Sequence, residues 1–124
     1  MTKKQEIGAL IIRIVLGLIF FIHGLDKFLG GIYNTVDYFI TLGLPGFLAY
    51  LVGVIELVGG LALILGVGTK IVSLFIIGVM LGAIVTVKWK EGFLGGYEFD
   101  LALLAMAIYL LINGSHIWKI GKRT

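Results

Sequence analysis

Few side chains in this 124-residue sequence can do chemistry, and the informative ones stand inside apolar runs. Glu56 is the sole charge in the run 45–66, about eleven residues from either end, near the middle of any helix built from it. Arg13 lies six residues past Ile7, roughly 9 Å along a helix rising ~1.5 Å per residue. Asn113, five residues before Trp118, falls at a similar depth from the same side. An ionised group at bilayer depth costs ~2.5–3.5 kcal/mol on insertion scales, so each needs a partner or a task. The axial gap between Arg13 and Glu56 is about 6 Å by helical rise, within reach of an arginine stem. An inner-half cluster of Arg13, Glu56 and Asn113 is thus expected. It would serve as a salt bridge locking helix register, as a polar floor for a bound head group, or as a proton relay.

A second polar level lies toward the other side. The first apolar run ends His23-Gly24-Leu25-Asp26-Lys27, and later runs add Lys88, Trp89, Lys90, Glu98 and Asp100. Histidine is the side chain type that ordinarily titrates near neutrality, which suits His23 to proton transfer. Lys27, Lys88, Trp89 and Lys90 also fit simple interfacial anchors. Glu98, Ala102, Met106, Tyr109 and Asn113 share one helical face that would link the two levels. The candidate site therefore has His23 and Glu56 as proton-transfer groups, and Arg13, Lys27, Glu98, Tyr109 and Asn113 as ligand-binding groups. No metal is expected, because the only other histidine, His116, falls at the far end of the chain and no His-x-x-x-His or Glu-x-x-His spacing occurs. A haem held between two histidines fails on the same count. The absence of cysteine excludes disulfides and thiolate chemistry. Gly30-Gly31 and Gly59-Gly60 lack the strand-to-helix context of a phosphate loop, and there is no Gly-x-Ser-x-Gly elbow.

The elements that must hold these groups follow from composition. Sixty per cent of residues are hydrophobic and 14% charged, with a mean hydropathy of +1.12. A water-soluble domain this small would need far more polar surface. Four runs reach the ~20 apolar residues that span a bilayer: 7–28, 45–66, 70–88 and 98–118. We expect one all-α domain over residues 1–124, an integral membrane four-helix up-down bundle, since the short links force antiparallel neighbours. The first run is too long and carries Arg13, so it reads as a retained helix rather than a cleaved signal peptide. Residues 30–44 hold a short apolar helix expected in the outer interface, capped by Asn34 or Thr35, with Asp37 in its first turn and Gly43 closing it. Pro45 suits the first turn of the second span.

Lys3, Lys4, Lys70, Lys119, Lys122 and Arg123 fall on one side of such a bundle, and Lys27, Lys88 and Lys90 on the other. The bias places both termini in the cytoplasm of a multi-pass plasma-membrane protein. The net charge of +3 comes from segment ends and forms no stripe for nucleic acid. Glycines at helical spacing, Gly17 and Gly24, Gly53 and Gly60, Gly78 and Gly82, read first as close helix contacts and second as a ligand slot.

The order Arg13-Ile-Val-Leu-Gly17, Phe20-Phe-Ile-His23-Gly24, Lys27, Glu56-Leu-Val-Gly59-Gly60, Gly66, Met80, Gly92-Phe93, Gly96-Tyr97-Glu98 and Asn113-Gly114 resembles the DoxX family of small bacterial four-helix membrane proteins, and within it the CatD-like members. The resemblance spans about residues 7–118. The family is similar to the membrane subunit of thiosulfate:quinone oxidoreductase, and members are commonly labelled oxidoreductases. It implies a shared polar pocket for a quinone among Arg13, His23, Glu56 and Glu98, in a subunit that works with a partner oxidoreductase. Many relatives carry a histidine near the outer end of the third span, where this chain has Thr86-Val87-Lys88. A dioxygenase role, suggested by some CatD-like labels, would need a two-His-one-carboxylate iron site, which His23 and His116 do not supply. The competing expectations are a non-enzymatic scaffold or assembly subunit, and a small proton-coupled transporter, both compatible with a homodimer in the lipid bilayer.

Overall fold

The computed structural model describes residues 2–116. Helix α1 (Lys3–Leu29) starts earlier than the apolar run, because Thr2 and Gln5 form a reciprocal capping box. The Thr2 hydroxyl accepts from the Gln5 amide at 3.2 Å, and the Gln5 side chain accepts from the Thr2 amide at 2.9 Å. Its 27 residues make a rod of about 40 Å, longer than the ~30 Å of a hydrocarbon core. A Gly30-Gly31 turn, with Gly31 at φ +95°, leads into α2 (Ile32–Thr41). The expected side-chain cap of α2 is corrected: Gly31 occupies the cap position, and the Asn34 amide reaches back to the Gly30 carbonyl at 3.2 Å. Pro45 stands two residues ahead of α3 (Phe47–Leu65) rather than in its first turn. It accepts from the Leu48 amide in a tight lead-in turn.

Gly66 and Gly68, both left-handed, carry the chain directly from α3 into α4 (Thr69–Thr86). The Val67 amide closes the end of α3 on the Ala62 carbonyl at 2.8 Å. After α4 come a 3₁₀ turn, Lys88–Glu91, and an irregular segment, Phe93–Tyr97, whose backbone leaves helical geometry at Leu94, Gly95 and Gly96. Here Tyr97 stacks on Trp89 with ring centroids 5.4 Å apart and meets Phe93 edge-on at 5.5 Å. Helix α5 (Glu98–Asn113) ends at Gly114, φ +69°, sooner than the composition suggested. Trp118, the expected end of this span, lies outside the described residues.

α1, α3, α4 and the segment Phe93–Asn113 are each long and apolar enough to cross a membrane. They close in chain order, α1 on α3, α3 on α4, α4 on α5 and α5 back on α1, while α2 lies against the N-terminal half of α3. The core is a column of Leu16, Phe20, Leu63, Ile76, Leu103 and Leu110, with neighbours of the same kind. Outward positions are as apolar as inward ones, with Ile11, Ile22, Val58, Ile71 and Ile112 all exposed. Such a surface suits hydrocarbon rather than water.

Candidate functional site: an ion pair between two cavities

The tightest seam in the bundle, α1 against α3, decides which polar groups meet. A Cβ on Gly60 would lie 2.3 Å from the Phe21 amide nitrogen, and one on Gly24 would lie 2.4 Å from the Leu57 nitrogen. Only glycine allows backbones this close. Glu56 sits on the same face as Gly53 and Gly60 and so points into the seam, where it is 5% exposed. From α1, one turn beyond Gly24, Lys27 reaches it, and Nζ lies 2.6 Å from Oε1. This is a short charge-assisted contact in a low-dielectric setting.

The expected Arg13–Glu56–Asn113 cluster does not form. The glycine register sets Glu56 opposite Leu25 and carries Arg13 past the C-terminal end of α3, level with the turn into α4. Twelve residues of α1 separate those levels, about 18 Å. Equal depths along each apolar run would need flush helices, but α1 overhangs α3. Arg13 is buried all the same, at 1% exposure, at the end of the bundle where the Thr69 and Ser115 hydroxyls bond to each other. Asn113 donates to the Tyr109 carbonyl of its own helix at 3.0 Å, and Tyr109 packs against the core. Neither lines a cavity with Glu56, and Glu98, half-buried at the head of α5, does not either.

Two cavities flank the ion pair. The larger, about 910 Å³, is a groove between α2, α3 and α4. Its long walls are apolar, with Leu51, Ile55, Phe75 and Val79 among them, and Tyr38 and Phe39 of α2 cover one side. Lys27 and Glu56 line it, as do Asp26, Lys88 and Glu91. Gly78 and Gly82 line it from α4. Apart from their own stretch of helix, no atom lies within 4 Å of where their Cβ atoms would be. The expectation that this pair makes a helix contact is corrected: it opens a groove. The smaller cavity, about 240 Å³, collects His23, Glu56, Lys88 and Asp100. Glu56, Met80, Ala83 and Lys88 belong to both. His23 is exposed, and Asp100 is buried at 6% exposure. Lys88 also pairs with Glu91 at 3.7 Å near the surface.

Of the candidate residues, the structure therefore brings together His23, Lys27 and Glu56 around one partition, and leaves Arg13, Glu98, Tyr109 and Asn113 elsewhere. Sequence reasoning missed Asp100 as a member of the site. A signal for it existed: Asp100 heads the stripe Leu103, Leu104, Ala107, Leu110, all buried at helical spacing. A carboxylate on a core-facing stripe is the anomaly to notice. Among the described residues no three His, Cys, Asp or Glu side chains are grouped as a metal site.

The sequence matches the DoxX family over residues 8–89. It is 45% identical over 115 residues to the Bacillus subtilis protein named "Putative oxidoreductase CatD", covering 93% of this chain and 85% of that one. An uncharacterized membrane protein of Mycobacterium tuberculosis is 33% identical over 90% of this chain and 78% of its own length. Inner membrane protein YqjF of Escherichia coli is 36% identical over 63% of this chain and 59% of its own. No solved structure matches the chain.

Proposed function

Since the chain belongs to the DoxX family of multi-pass membrane proteins, we propose that it is the membrane subunit of a redox system and holds a quinone in the groove beside Glu56. The observation that carries this reading is a groove of about 910 Å³ with apolar walls and one buried ion pair in its lining. Ligand cavities of this kind, apolar with a few convergent polar groups, typically run ~300–1,000 Å³. The ring of a quinone fits beside the pair, where Lys27 Nζ donates to a carbonyl oxygen and Glu56 takes or returns a proton. The isoprenoid tail lies along Leu51, Ile55 and Phe75 and leaves over Gly78 and Gly82 into lipid. His23 exchanges protons with the outer side. The sequence carries no dinucleotide or haem motif, so electrons come from a partner oxidoreductase. The name of the Bacillus relative favours the same class of chemistry. The lysine and arginine bias favours a plasma-membrane location with the N-terminus in the cytoplasm.

The test is a titration of the purified chain in lipid nanodiscs with decylubiquinone, read by quenching of tryptophan fluorescence. Saturable binding is expected, weakened about tenfold or more by Glu56→Gln, because the loss of one hydrogen bond to a charged group removes ~1.5–3 kcal/mol. Binding that never saturates, or that ignores Glu56→Gln, overturns the reading. The alternative is a non-enzymatic scaffold, and the Lys27–Glu56 contact itself favours it, since such a pair also locks helix register. In that case Glu56→Gln would weaken the fold and leave any quinone affinity unchanged.

A further inference from the structure

Glu56 lies in the partition between two cavities of opposite character. The groove is apolar and large; the chamber behind it is small and collects ionisable groups from four elements. His23 comes from α1, Glu56 from α3, Lys88 from the turn after α4, and Asp100 from α5. At about 240 Å³ the chamber has room for several waters, and its polar lining gives them partners. Asp100 is its least explained member. It is 6% exposed, and its Oδ2 makes no hydrogen bond among the described residues. The first turn of α5 favours negative charge there, but a helix end does not give Oδ2 a hydrogen-bond partner. Asp100 lines the chamber and not the groove, so it is not a ligand-holding group. The chamber extends to Lys88, where the α4–α5 connection begins, and to the exposed His23. It thus leads from Glu56 toward one end of the bundle.

Both carboxyls have charged neighbours. Glu56 faces Lys27 in its ion pair and shares the groove with Asp26, Lys88 and Glu91. Asp100 shares the chamber with Lys88 and His23, and Glu91 is close enough to act on its charge. Each carboxyl therefore has cations within range of its charged form, and water can lie between them.

We propose that the small chamber is the proton port of the site, with Asp100 passing protons between water at the α4–α5 connection and Glu56. In this step the O–H bond of a protonated Asp100 breaks and its proton moves through chamber water to a Glu56 carboxylate. Asp100 is then recharged by a proton from port water or from a His23 imidazolium. One proton enters for each one delivered, and no electron changes hands. Once protonated, Glu56 releases Lys27, whose ammonium is then free to face the groove. The proposal rests on the reading of the groove as a site where a ligand exchanges protons with Glu56.

The experiment needs no quinone. Dicyclohexylcarbodiimide dissolves in the bilayer and reacts with carboxyl groups only when they are protonated, so labelling of Glu56, quantified by mass spectrometry, reports its proton supply. Proteoliposomes are sorted for orientation through a Lys90→Cys tag, and either face is acidified by one pH unit. Acidifying the face that carries the α4–α5 connection should raise Glu56 labelling about fivefold, approaching the tenfold limit per unit, whereas the opposite face should leave it nearly unchanged. Asp100→Asn should abolish the response and Asp100→Glu should retain it. If Asp100→Asn does not assemble, Asp100→Ser takes its place. Equal responses from both faces, or a full response in Asp100→Asn, overturns the proposal. A chain that binds no quinone yet labels with this sidedness loses the groove reading and keeps the port. One that binds quinone and labels without sidedness loses only the port.

Discussion

Glu56 acquires its partner from the seam it lies in, not from the apolar run it belongs to. A carboxylate at this depth needs a cation, and Lys27 supplies it at 2.6 Å. Removing one member of a buried pair strands the other, which typically costs ~3–5 kcal/mol, while replacing both by apolar groups is often neutral. Lys27→Met should therefore destabilise the bundle by about that amount in a detergent-unfolding titration, and Lys27→Met with Glu56→Met should recover most of the loss. Equal stability in the single and double variants would show that the two groups do not depend on each other. The pair is not legible in the sequence, although both residues stand out there: depth counted along each run separately puts Lys27 on the outer level and Glu56 on the inner.

At the level of the helices, the glycines divide into two kinds that composition alone cannot separate. Gly17, Gly24 and Gly60 lie where a Cβ would collide with the backbone of the facing helix. Gly78 and Gly82, one helical turn apart, face open space. Overpacking of a close contact costs typically ~1–3 kcal/mol and forces the helices apart. Gly60→Ala and Gly24→Ala should each lower stability by at least that, whereas Gly78→Ala should stay within about 0.5 kcal/mol of the wild type. Gly78→Leu makes a sharper distinction. It should fold normally and obstruct the groove, weakening decylubiquinone binding by about tenfold or more, since a bulky side chain takes space from the ligand. A Gly78→Leu chain that binds as well as wild type would place the ligand elsewhere.

For the whole molecule, the four spans and their short connections fix an up-down arrangement, and the lysine and arginine bias predicts its orientation. Because the sequence contains no cysteine, single cysteines report sidedness without background. In intact cells a membrane-impermeant maleimide should label Lys90→Cys and spare Gln5→Cys and Lys70→Cys. The opposite pattern would reverse the orientation and place the α4–α5 connection on the cytoplasmic side. The overhang of α1 belongs to this scale too. It brings Arg13 level with the α3–α4 turn, so a charge that looks deep along its own run lies at the end of the bundle.

Hydropathy, chain length and connection length are enough to determine the class, the number of spans and a short helix after the first span, because each depends on local sums along the chain; the order of short motifs points to the family. The same sums singled out Glu56, since a lone carboxylate in an apolar run is conspicuous without any neighbour. What remained was decided by register, a relation between helices that no single run contains. Sliding α1 along α3 until glycine backbones meet selects Lys27 over Arg13 as the partner of Glu56. The packing of α4 and α5 around that seam then leaves one cavity apolar and the other lined by Asp100. A shift of one helical turn moves a side chain by about 5.4 Å, enough to exchange one ion pair for another, and only the packed bundle settles that shift.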